Sequence, residues 1–184
     1  MKAFLPTVTI AGLLGLASIA AHASDGSVSV NGTVATNTCS INGTAAGTTF
    51  TKTVTLPTVP ATAFPKRGAT AGISALTDLQ LVLTNCAGPA TKVVASFIDD
   101  ESLDNGVLVN QATTGAAQGV QVVLLNRNMI GLNASNNINN DVANNGATIT
   151  NGNATLQYYA QYVATSAVQP GAVLAKVTYQ LVYQ

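Results

Sequence analysis

The 184-residue chain contains no tryptophan, one histidine, two cysteines and only 8% charged residues. Its single histidine, His22, lies in an N-terminal stretch that reads as a removable leader. Without histidine, the Ser-His-Asp and Cys-His arrangements of nucleophilic catalysis are excluded, and so is histidine-based zinc chemistry. The few basic residues offer no positive field for nucleic acid. No glycine-rich phosphate loop follows a strand and opens a helix. The only carboxylate cluster is Asp99, Asp100, Glu101 and Asp104. Its Asp100-x-Ser102-x-Asp104 core faintly resembles a calcium loop, but the bidentate glutamate and the regular spacing are missing. This segment reads as a solvated loop. No enzymatic activity, cofactor or metal is expected.

What is present begins with export. Lys2 gives a short positive region, Phe4 to Ile19 is mostly apolar, and Ala21-His22-Ala23 is a small-x-small cleavage pattern. Together they predict a secretory signal peptide over residues 1–23. The apolar run is too short, and too soon followed by polar sequence, for a membrane span. Cleavage leaves about 161 residues, with six basic side chains against seven acidic. That length suits one domain preceded by an arm of a dozen or so residues. Two cysteines in an exported chain, Cys39 and Cys86, most simply form one disulfide, with a free thiol pair or half a metal site as the competing readings. A bridge would close a loop of about 47 residues and stabilise by roughly 4 kcal/mol through chain entropy.

The rest of the chain is a series of short β-like runs between turn signals, with no convincing amphipathic helix. Strands are expected at Ser27–Thr36, Thr49–Leu56, Ile73–Asn85, Lys92–Asp99, Gly106–Asn110, Gly119–Asn126, Thr155–Thr165 and Val173–Gln184. Thr58–Thr70, with Pro60 and Pro65, reads as a loop. Gly119–Asn126 is apolar enough to be buried on both faces. Asn128–Asn153, rich in Asn and Gly, reads as a meander of loops and short strands, and its Asn139-Asn140 and Asn144-Asn145 pairs are expected at the surface. Asn31-Gly32-Thr33, Asn42-Gly43-Thr44, Asn133-Ala134-Ser135 and Asn153-Ala154-Thr155 fit the sequon pattern, and read as turn and surface residues. This pattern predicts an all-β sandwich or barrel.

Two alternating segments stand at opposite ends of the exported chain. In the first, Val28, Val30, Gly32, Val34 and Thr36 share one face. In the second, Val173, Ala175, Val177, Tyr179, Leu181 and Tyr183 share one face, and the strand runs to Gln184. If the two segments meet between molecules, the chain is a polymer subunit.

These motifs resemble the pilin subunits of chaperone–usher fimbriae, in particular the type 1-like major pilins. The arm VSVNGTVATNTC places Gly32 seven residues before Cys39. Cys86 ends LQLVLTNC, YYAQYVATSAVQPG resembles the family's penultimate strand and turn, and VTYQLVYQ ends the chain with tyrosine next to last. The resemblance implies an incomplete immunoglobulin-like β-sandwich, residues 39–184, lacking its last strand, with residues 24–38 as a donor-strand extension. It implies a Cys39–Cys86 disulfide. It implies that a periplasmic chaperone first fills the groove, recognising Val177, Tyr179, Leu181, Tyr183 and the Gln184 carboxylate. At an outer-membrane usher the arm of the next subunit would then replace the chaperone strand. Open head-to-tail contacts of this kind give filaments, here an adhesive surface fibre.

In such a groove each buried Val of the arm contributes roughly 1.5–3 kcal/mol, and each ladder hydrogen bond about 1 kcal/mol net. By the resemblance, Gly32 sits where the groove has no room for a side chain. Asn31-Gly32 is also a hairpin signal, though its arms would be very short. Two other functions compete with the main reading: a minor linker or terminating pilin, and a self-contained secreted carbohydrate-binding sandwich using Tyr158, Tyr159 and Tyr162. The chain is too short for a tip adhesin's additional receptor-binding domain.

Overall fold

The computed structural model describes residues 38–98 and 103–184. The arm residues Val28, Val30, Gly32, Val34 and Thr36 lie outside the described residues, as do the leader and Asp99, Asp100, Glu101 and Ser102.

The fold is all-β. In chain order the strands are β1 (Thr38–Ile41), β2 (Thr70–Ile73), β3 (Leu79–Ala87), β4 (Lys92–Ile98), β5 (Leu103–Asp104), β6 (Val107–Leu108), β7 (Gln118–Leu125), β8 (Ala147–Thr148), β9 (Ala154–Gln169) and β10 (Thr178–Tyr183). One sheet has the order β1-β3-β9-β7-β6-β5, with β2 also paired to β9, and the other has the order β10-β4-β8. All the strand pairs are antiparallel. The inward faces of β3, β4, β7 and β9 supply Leu81, Leu83, Val93, Ala95, Val122 and Leu156 to one buried core. Phe97 and Tyr158 meet edge to face there, with centroids 5.3 Å apart, a geometry that adds to the burial of both rings. A smaller cluster gathers Phe64, Val120 and Ala164 at the far end of β9.

Five expectations need correction. The strand expected over Val173–Gln184 forms a ladder only over Thr178–Tyr183. Thr49–Leu56 forms no ladder, although Phe50 and Leu56 pack against the core. The alternation is that of a strand, but no described strand pairs with it. Ile73–Asn85 is not one strand: Ser74–Asp78 turns between β2 and β3, held by the Ala75 N–H on Asp78 Oδ2 at 2.8 Å. In β7, Val120, Val122 and Leu124 are buried on one face, while on the other Leu125 is buried but Gln121 and Val123 are only half-buried, so one face is fully covered and the second only at its end. The Asn-rich segment is not simply surface loop. Asn140 is 1% exposed and Asn126 is buried, because both amides replace missing backbone partners.

Two glycines shape the chain around the end of β9. Gly119 has φ +68°, and a Cβ there would stand 2.5 Å from the Ala167 carbonyl oxygen, so the β7–β9 ladder takes a bulge at this point. A Cβ on Gly171 would stand 2.4 Å from the Ala117 amide nitrogen. The chain can therefore leave β9 through Pro170-Gly171 and start back closely packed on residues 115–117.

Candidate functional site

Residues 172–184 carry the site. From Ala172 to Leu181 exposure alternates without a break. Even-numbered residues are exposed, and Val173, Ala175, Val177, Tyr179 and Leu181 are half-buried, as is Tyr183. These six all pack against the core, yet none reaches full burial. The sequence placed them on one face, and the structure does so. It leaves that face partly uncovered.

The backbone explains why. Lys92 and Gln184 exchange both backbone hydrogen bonds, Lys92 N–H to Gln184 O at 2.9 Å and Gln184 N–H to Lys92 O at 3.0 Å. In an antiparallel pair, bonded and non-bonded positions alternate. With Val182 opposite Val94, Gln180 opposite Ser96 and Thr178 opposite Ile98, the even residues of β10 bond to β4. Tyr179, Leu181 and Tyr183 therefore turn their N–H and C=O groups to the other side. Upstream the same parity holds: the N–H of Ala172 bonds to Gly115 O at 2.7 Å, and the N–H of Leu174 to Asn110 Oδ1 at 3.0 Å. Among the described residues, no strand lies on the odd-numbered side. The Tyr179 hydroxyl is buried there without a hydrogen-bond partner.

The opposite bank is built from β1 and the unpaired segment after it. At one end the Cys39 N–H donates to the Tyr183 hydroxyl. At the other, Val59 and Phe64 face Val168, Pro170, Gly171 and Val173 across a cavity of about 220 Å³. The two banks run in opposite directions, residue 39 near 183 and residue 59 near 173. A strand laid between them is parallel to one bank and antiparallel to the other. Eleven residues at the rise of a β-strand give a groove about 35 Å long.

The disulfide Cys39–Cys86 joins β1 to β3 and fixes the first bank to the sheet. Burial raises the phenol pKa of Tyr179 and of Tyr183, with the Cys39 N–H opposing the rise at Tyr183. The Gln184 oxygen accepts from the N–H groups of Thr91 and Lys92 at 2.7 and 2.9 Å. The tyrosines considered for sugar binding do not form a platform. Tyr158 is buried, Tyr162 packs on the core, and Tyr159 points to the other face of β9. Asp104 accepts from Gln121 Nε2 and Asn105 Nδ2, and the described residues hold no cluster of metal-ligating side chains. Sequence reasoning missed the unladdered bank at residues 49–60, because its apolar spacing is that of any strand.

Among the described residues, one edge of β10 is thus open over a core face that is only partly covered. The fimbrial protein family model matches residues 28–184, and the chain belongs to that family. A curated relative, the major fimbrial subunit SMF-1 of Stenotrophomonas maltophilia, is 36% identical over 93% of this chain and 99% of its own. Among solved structures, a type I fimbria protein of Burkholderia pseudomallei is similar at 25% identity and TM-score 0.52, over 82% of this chain and 97% of that one. A chaperone–usher pilus subunit shares the fold at TM-score 0.51, with 21% identity, over 88% and 96% of the two chains. The protein is a structural fimbrial subunit with an immunoglobulin-like pilin fold. Its relatives are structural fimbrial proteins, and no helix among the described residues is long and apolar enough to cross a membrane.

Proposed function

We propose that the groove between β10 and residues 39–59 is filled by the arm of a second copy, residues 24–38, so that subunits join head to tail into a chaperone–usher fimbria. The observation that carries this reading is the parity of the C-terminal segment. From residue 173 to 183, the positions with core-facing but half-exposed side chains are also those whose backbone groups face no strand. One added strand corrects both deficits at once. Val28, Val30, Gly32, Val34 and Thr36 are the arm face that would meet the core, with Gly32 at the closest approach. The same groove suits a strand lent by a periplasmic chaperone before assembly. Val177, Tyr179, Leu181 and Tyr183 would line the contact, and the Gln184 carboxylate would face basic chaperone residues. Residues 1–23 would direct export to the periplasm, and an outer-membrane usher would exchange the chaperone strand for the arm.

The test is a chain beginning at Thr38, melted with and without a synthetic peptide of residues 25–37. A large rise in the thermal midpoint, with slow release of the peptide, is expected. An unchanged cooperative melt would mean that the sandwich is already complete, and the fibre-forming mechanism would be lost.

A further inference from the structure

The second edge of the β10-β4-β8 sheet is as informative as the first. With the even residues of β4 bonded to β10, its odd residues face away from β10. Every one of these rungs is occupied, but only part of them by strand. Ile149 N–H bonds to Thr91 O at 2.8 Å, and Val93 pairs with Ala147 of β8. Beyond β8 side chains take over. Ala95 N–H donates to the Tyr158 hydroxyl at 3.1 Å, and Ala95 O accepts from Asn140 Nδ2 at 2.7 Å. Phe97 N–H donates to Asn137 Oδ1 at 3.0 Å, and Phe97 O accepts from Asn137 Nδ2 at 3.2 Å.

A primary amide carries the same donor and acceptor pair as a peptide group, so Asn137 stands in for a strand residue opposite Phe97. Tyr158 and Asn140 do the same opposite Ala95, and are tied together by the Tyr158 hydroxyl on Asn140 Oδ1 at 2.9 Å. Asn137 holds φ +55°, a backbone state that asparagine tolerates better than most residues.

The geometry points to Asn137 and Asn140 as specificity residues for strand addition: their amides close the far edge of β4, so that an incoming strand can add only beside β10. This rests on the strand-addition reading above and extends it from where a strand binds to where it is refused. An open second edge would be a template for lateral pairing, which natural sheets block by several devices. Here the device is a side-chain ladder in place of a strand.

The test uses fibres assembled from the full chain, with the Asn137→Gly variant. Glycine suits the positive φ and lacks only the amide. Purified fibres are incubated with a fluorescent peptide of residues 24–37, and hydrogen exchange is read at Ala95 and Phe97. Native fibres should take up label on the order of one peptide per fibre. Variant fibres should take up at least tenfold more, with Phe97 protected only when peptide is bound and Ala95, still held by Tyr158 and Asn140, protected throughout. Asn137→Asp, which keeps the acceptor for Phe97 N–H and loses the donor, should fall between the two. Uptake equal to native in both variants overturns the inference. So does increased uptake without protection at Phe97, because the peptide would then sit in the β10 groove. Failure of the native chain to form fibres would strike the strand-addition reading instead, before any variant is compared.

Discussion

Backbone parity along the C-terminal segment makes a prediction that few other arrangements share. In a subunit with an empty groove, the amides of Gln180, Val182 and Gln184 are bonded to β4, while those of Tyr179, Leu181 and Tyr183 face the open side. Hydrogen exchange by NMR should therefore alternate residue by residue. Open amides exchange at close to the rate of an unstructured chain, whereas bonded ones wait for an opening event. An opening free energy of about 3 kcal/mol slows exchange roughly 100-fold, so the two sets should separate by at least that factor. Adding the arm peptide should slow the odd amides, Val173 to Tyr183, by a similar or larger factor and leave the pattern at the even ones intact. The six half-buried side chains would lose their remaining exposure in the same step, each gaining on the order of 1 kcal/mol from the area removed from water. Uniform protection along 178–184 in the empty subunit, or peptide-induced slowing at the even positions, would refute the assignment of the open edge.

Three further outcomes follow from the same geometry. Replacing Cys39 and Cys86 with alanine should lower stability by about 4 kcal/mol, a fall of roughly 10 °C in thermal midpoint, measured on the peptide-filled subunit. Burial pushes the Tyr158 phenol up to about 12, against about 10 in an unfolded chain. The folded state thus keeps a proton that the unfolded chain loses. The corresponding stability, about 3 kcal/mol, is fully present below pH 10 and disappears as pH rises through 12. Denaturant midpoints should show that decline, and Tyr158→Phe should lack this contribution. Gly32→Leu in the arm should block or slow polymerisation, read by electron microscopy, while leaving the melt of the isolated subunit unchanged. Normal fibres from that variant would remove the role given to Gly32.

Much of this fold is legible in the sequence because a period of two is a strong signal when one face is buried. KVVASFI is a strand within a residue of its expected limits, and LQLVLTNC lies in a strand that begins at Leu79, although the run expected from Ile73 is broken by a turn. The face shared by Val173 to Tyr183 is correct for the same reason. What could not be read is the difference between a face that is covered and one that is only partly covered. Leu81 and Leu181 look alike in sequence, yet Leu81 is buried between sheets and Leu181 is half-exposed. That distinction depends on which strands lie alongside, a property of topology and not of local pattern. Thr49–Leu56 failed for a related reason. Its apolar spacing is that of a strand, but a ladder requires a partner, and no described strand supplies one.

The asparagines show the other limit. Asn is read from sequence as a turn former, and several here are: Asn42, Asn85, Asn105, Asn137, Asn139 and Asn151 all hold positive φ. The same side chains do a second task that composition hides. Asn42 Oδ1 accepts from Val82 N–H at 2.8 Å, completing the edge of β3 where β1 ends, as Asn137 completes β4 where β8 ends. A sheet made of short strands has many unfinished rungs, and each unpaired buried peptide group costs about 1–3 kcal/mol. An amide side chain finishes a rung without offering a further edge, which a strand would. Asn42 at β3, and Asn137 and Asn140 at β4, each finish rungs in this way. Beside β10 no amide does so among the described residues: the backbone groups of Tyr179, Leu181 and Tyr183 face no described strand.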